Sequence, residues 1–67
     1  MTSLNLGPNL ERSDDFYACL LEAHEGLSEA ETHALNARLI LILANHIGSL
    51  DVLTEALAIA KRTSKGA

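Results

Sequence analysis

From Ser13 onward, apolar residues recur three and four positions apart with polar residues between them, the period of amphipathic helices and not of strands. Phe16, Leu20, Ala23 and Leu27 mark the first stripe, with Asp14 and Asp15 where a helix start favours acids and Gly26 at the left-handed closing position. Ser28-Glu29-Ala30-Glu31 then fits a capping box, in which the Ser28 hydroxyl accepts from the Glu31 backbone and the Glu31 carboxylate accepts from that of Ser28. A second helix follows over Glu29–Ile47, about 28 Å long at 1.5 Å per residue, and Gly48 stops it. Ser49 caps a third helix, with Asp51 in its first turn, Lys61 and Arg62 in its last, and Gly66 beyond its end. Its Leu50, Leu53, Leu57 and Ala60 form one stripe, widened by Val52, Ala56 and Ile59, that predicts burial against a core. No proline follows Pro8 and no strand-period alternation occurs. The pattern therefore predicts an all-α chain of three helices in helix-turn-helix-turn-helix order, whose short links force antiparallel or steeply angled neighbours. Residues 1–12, with Gly7-Pro8 and no period, predict a flexible arm; 13–63 form a single three-helix domain and 64–67 a tail.

The long central helix is apolar almost all round. On a wheel advancing about 100° per residue, Glu31 and Asn45 fall within roughly 20° of Arg38 and define one narrow polar stripe. Leu41 and Ile42 flank it closely, and Leu35, Leu39, Ile40, Leu43, Ala44 and Ile47 take most of the remaining circumference. The first helix offers mainly Phe16, Tyr17, Leu20 and Leu21, and the third its leucine stripe, which together cannot cover every side. The expectation is a homodimeric helical bundle in which central helices pair about a two-fold axis through Leu35, Leu39, Ile40, Leu43 and Ile47.

Composition narrows the field further. A 67-residue chain should bury only ~60% of the surface it exposes when extended, a thin core that a partner subunit would complete. Five Lys plus Arg against nine Asp plus Glu leave a net charge of −4, with no basic excess to neutralise phosphates, so nucleic acid is not an expected partner. The longest wholly apolar run, Leu39 to Ala44, is far short of the ~20 residues that cross a bilayer. Cys19 is the single cysteine, which removes the disulfide-stapled secreted class, and residues 1–10 have neither the basic start nor the apolar stretch of a signal peptide. The expected compartment is the cytoplasm.

Candidate chemistry is sparse. His24, His33 and His46 are spaced nine and thirteen residues apart, matching neither a helical ligand pair nor a finger motif, so no metal site is expected. His24 and His46 fall in last turns, where a donor suits exposed carbonyls, and His33 on a solvated flank. Arg38, Asn45 and His46 make a possible polar cluster within the greasiest stretch. If Arg38 is covered at an interface, an acid such as Asp15, Glu22 or Asp51 should meet it. Cys19 has no basic neighbour in sequence to make it a thiolate and reads as a buried small hydrophobe. Gly48-Ser49-Leu50-Asp51 is similar to the Asp-Ser-Leu segment that bears phosphopantetheine in acyl and peptidyl carrier proteins. Gly48 stands where that family has Asp, and only eighteen residues follow Ser49, too few for the two helices a carrier places there. Ser49 is therefore read as a helix cap.

Beyond these parts, the stretch from Ser13-Asp14-Asp15-Phe16-Tyr17 through Glu22-Ala23-His24, Gly26-Leu27-Ser28, Leu35-Asn36-Ala37-Arg38-Leu39 and Ala44-Asn45-His46-Ile47-Gly48 to Glu55-Ala56-Leu57 resembles a family of short, mainly proteobacterial proteins of unknown function. The likeness covers nearly everything except the arm and tail. It implies no activity, cofactor or catalytic residue; as a partner it implies a flavin-dependent oxidoreductase of aromatic breakdown. The resulting expectation is a non-enzymatic cytoplasmic protein that self-associates through its second helix and serves as an interaction or accessory subunit, with no resident cofactor. The competing expectation is a small-ligand or cofactor-binding module with its site at the subunit interface, using Arg38, Asn45 and His46.

Overall fold

A computed structural model describes residues 4–65. The first three residues of the expected arm, and Gly66 and Ala67 of the expected tail, lie outside the described residues. Three helices are present, α1 over Ser13–His24, α2 over Glu29–Ile47 and α3 over Leu50–Lys65, with no strand among the described residues.

Local chemistry sets these limits. Ser28 is extended, its Oγ accepts from the Glu31 N–H at 3.2 Å, and Glu31 Oε1 accepts from the Ser28 N–H at 2.9 Å, so the capping box forms in full. The carboxyl of Glu31 is held below its usual range, first by the Ser28 backbone N–H from which it accepts and then by the Ser28 side chain. At the other end Gly48 takes φ 75°, a left-handed conformation that turns its N–H back onto the Ala44 carbonyl. The link before α2 is a type II turn. Glu25 is extended at φ −61° and ψ 132°, Gly26 supplies the required positive φ of 77°, and the Leu27 N–H closes onto the His24 carbonyl at 3.3 Å. Ser49 caps α3 as expected, accepting at Oγ from Val52 N–H at 3.2 Å.

α1 begins where expected but without a side-chain cap, and α3 ends later than expected. α1 starts after Arg12, which adopts a left-handed backbone at φ 53° and offers no side-chain cap; its Nε instead donates to Asp15 Oδ2 at 3.0 Å. α3 runs through Ser64 and Lys65, two residues into the expected tail, because nothing before Gly66 breaks it and the Thr63 hydroxyl bonds within the helix to the Ile59 and Ala60 carbonyls. The arm also makes a specific contact, with Leu4 N–H donating to Glu55 Oε1 on α3 at 3.2 Å.

α3 packs on α2, and its half-buried residues are Val52, Leu53, Ala56 and Ile59. The expected stripe is thereby corrected by about a quarter turn. Leu50 and Leu57, placed in the core by sequence, are 74% and 66% exposed, because the direction in which α3 leaves Gly48 selects which apolar flank meets α2.

No described residue is buried. The chain keeps 6006 Å² accessible, whereas a compact monomer of its 7.2 kDa would keep about 4,100 Å² and the extended chain about 10,400 Å². Folding of the single chain thus hides about 40% of its surface and falls short of the expected ~60%, leaving an excess of about 1,900 Å².

Candidate functional site

The short link at Gly26 turns α2 back beside α1, but the two helices do not close on each other. Between them lies an open groove of about 740 Å³, walled by Phe16, Leu20 and Ala23 from α1 and by Leu35, Leu39 and Ile42 from α2. Leu20, Leu35 and Leu39 are half-buried, while Phe16 and Ile42 remain exposed. Cys19, expected to be buried, is instead an exposed free thiol that lines this groove, because α1 and α2 do not close over it.

The charged residues lining the groove are Glu31 and Arg38, two turns apart on one face of α2 and about 10 Å apart along its axis. The stripe that the wheel isolates as polar therefore looks into the apolar groove. Glu31 holds the helix start with one carboxylate oxygen. The Arg38 guanidinium makes no hydrogen bond or ion pair among the described residues, and of the acids expected to meet it, Asp15 is engaged by Arg12. Small residues, Ala30 and Ala34, line the same wall.

One polar contact ties the groove's helices together, and sequence reasoning missed half of it. His24 lies in the last turn of α1, as expected, with Nδ1 2.7 Å from the Leu20 carbonyl; its Nε2 is 2.9 Å from Asn36 Oδ1 on α2. Both partners are oxygen acceptors, so the doubly protonated ring satisfies both at once, and its pKa is raised, first by the Leu20 carbonyl and then by Asn36. A neutral ring can keep the Leu20 bond through Nδ1–H and accept at Nε2 from the amide nitrogen of a rotated Asn36. Asn36 was legible only as an interruption in the apolar circumference. Nothing in its spacing from His24 announces the pair, since the link geometry brings them together.

The other expected site residues scatter. Asn45 and His46 do not line the groove and lie more than 10 Å beyond Arg38 along α2, exposed and without a side-chain hydrogen bond among the described residues. The structure does not gather Arg38, Asn45 and His46 into one cluster. His33 is exposed, and among the described residues no group of three or more His, Cys, Asp or Glu could hold a metal ion. Of the five expected interface residues, Leu35 and Leu39 wall the groove, while Ile40, Leu43 and Ile47 form a separate stripe on α2, 61%, 47% and 50% exposed. No helix among the described residues is long and apolar enough to cross a membrane.

The fold unit matches one known family model, described as a protein of unknown function (DUF2783), over residues 4–62. The chain belongs to the DUF2783 family. The DUF2783 match takes in nine residues of the arm that the sequence resemblance left out, in keeping with the bond from Leu4 to Glu55, both inside the matched span. No curated protein and no solved structure matches the chain. Membership of DUF2783 carries no activity with it, so the groove and its two charges are the material for a functional reading.

Proposed function

We propose that this DUF2783 chain is a small cytoplasmic, non-enzymatic subunit that self-associates, a dimer being the favoured form, and acts as an interaction or accessory protein. The observation that carries the reading is the excess of about 1,900 Å² of accessible surface over a compact monomer of the same mass. A standard interface covers about 800 Å² per partner, so the excess leaves room for one interface and a second contact. It includes the exposed side chains of Ile40, Leu43 and Ile47, which share one face of α2, and patches of that kind mark interaction sites. The outer stripe of Ile40, Leu43 and Ile47 suits a further protein partner, and the flavin-dependent oxidoreductase implied by the family resemblance is the class to test first. Sedimentation equilibrium across a wide concentration range tests the reading: a dimer at micromolar concentration is expected, and a monomer throughout refutes it.

A second reading is favoured by one observation, an unpaired Arg38 guanidinium at an apolar groove of about 740 Å³, within the size range of small-ligand pockets. An aromatic acid fits that chemistry. Thermal-shift measurement with aromatic acids and flavins tests it, because a ligand that binds the folded state must raise the melting point, and an unchanged melting point with all of them refutes it.

A further inference from the structure

We propose that two DUF2783 chains close groove on groove into a four-helix bundle with their α2 helices antiparallel, so that Arg38 of each chain meets Glu31 of the other. This rests on the self-association proposed above and adds the surface, the direction and the register.

The groove needs an occupant that is apolar, elongated and able to answer one cation and one anion a fixed distance apart. A second copy of the same groove has these properties. In a two-fold dimer the same patch faces itself, so the question reduces to how the patch complements its own image. If the axis runs along the helices, the two α2 helices are parallel and each residue meets its own copy. Arg38 then faces Arg38, Glu31 faces Glu31, Leu35 faces Leu35 and Ala34 faces Ala34. Both charge pairs repel, and large side chains collide in one layer while the small ones leave a gap in the next.

If the axis instead crosses the helices between Ala34 and Leu35, the α2 helices are antiparallel and each residue meets the one equally far on the other side of that point. Leu35 then faces Ala34, Leu39 faces Ala30 and Arg38 faces Glu31. These three pairs each combine a large side chain with a small one or a cation with an anion, all six residues line the groove, and the next pair outward, Ile42 with Leu27, is apolar on both sides. Glu31 uses Oε1 for the Ser28 N–H, so its second oxygen can accept from the guanidinium while the helix cap stays intact. The sequence spacing supplies this self-complementarity, and the tertiary structure supplies the condition it needs, which is that one face of α2 carries the residues of those three pairs into an unfilled groove. The single chain leaves surface to cover, since its accessible excess, arm and outer stripe included, is about twice the ~800 Å² that a standard interface takes from a partner.

Charge exchange tests the register. R38E places like charges across the antiparallel pairing and is expected to raise the dimer dissociation constant roughly tenfold or more, and E31K to do the same. The double variant R38E/E31K restores opposite charges and is expected to dimerise more tightly than either single variant, although it shares with E31K the loss of the capping box. An equimolar mixture of the two single variants is expected to form a heterodimer. An unchanged R38E dimer, or a double variant no tighter than its weaker parent, overturns the antiparallel register. Cys19 tests the surface independently, because the wild-type chain carries no other thiol. Its reaction with an aromatic disulfide reagent is expected to be slow in the dimer and fast on dilution. A dimer whose Cys19 reacts at the monomer's rate overturns the groove as the interface and leaves self-association standing; a monomer at every concentration overturns both.

Discussion

Replacing Leu39 by alanine distinguishes a chain that is complete by itself from one that a second copy completes. Leu39 walls the groove and is partly buried in the single chain. Full burial of a leucine is worth about 2–3 kcal/mol, and most of that is already realised at Leu39, so its truncation should cost the isolated chain about 1.5–2 kcal/mol. If a second chain covers the groove, each Leu39 loses the remaining third or so on truncation as well, about 1–2 kcal/mol for the two sites of a dimer. That corresponds to a dissociation constant raised roughly 5- to 30-fold. Leu57→Ala is the matched control, since Leu57 is 66% exposed on α3 and does not line the groove. Its dissociation constant should stay within about threefold of wild type. Thermal melting followed by helical circular dichroism gives a second readout, because the melting point of an assembled state rises with protein concentration. A wild-type melting point that stays constant over a roughly hundredfold concentration range, together with equal losses in the two variants, would refute the reasoning.

Three further outcomes follow from local geometry. Ser28→Ala removes the capping hydroxyl and should destabilise α2 by about 1 kcal/mol, read as a lower melting point; an unchanged one would mean that Glu31 alone holds the helix start. Gly48→Ala meets no atom closer than 3.9 Å but must adopt φ 75°, so it should cost about 1 kcal/mol through backbone strain, whereas Gly48→Asn should cost less. The raised pKa of His24 means that its contribution is fully present below the unfolded value of ~6.5 and is lost as pH rises through the higher folded value. Wild type should therefore lose more melting temperature than His24→Gln between about pH 6 and pH 8, and parallel profiles would show that the ring's charge does not matter.

How much of this was legible in the sequence depends on the distance over which each cause acts. Ser28 and Glu31, Gly26, Gly48 and Ser49 act within four residues, and α2 begins and ends where they dictate. α1 likewise starts at Ser13, where the periodic pattern and the two acids place it, although the left-handed Arg12 before it leaves no mark in the sequence. The wheel on α2 correctly grouped Glu31 with Arg38 but could not say whether that stripe looked outward or into the groove. The same limit misplaced Leu50 and Leu57 on α3, and it hid the pairing of His24 with Asn36.

By itself, then, the sequence determined three helices, their caps and a central segment too apolar for one chain to cover. These follow from backbone hydrogen bonding and side-chain spacing along a single helix, which need no knowledge of neighbours. Only the tertiary structure decided that α1 and α2 stand apart around a groove, that Arg38 and Glu31 line it, and that Ile40, Leu43 and Ile47 form a separate exposed stripe. The reason is physical: a helix fixes the angles between its own residues, while the direction of the next helix is set by a few dihedral angles in the link at Glu25 and Gly26 and at Gly48.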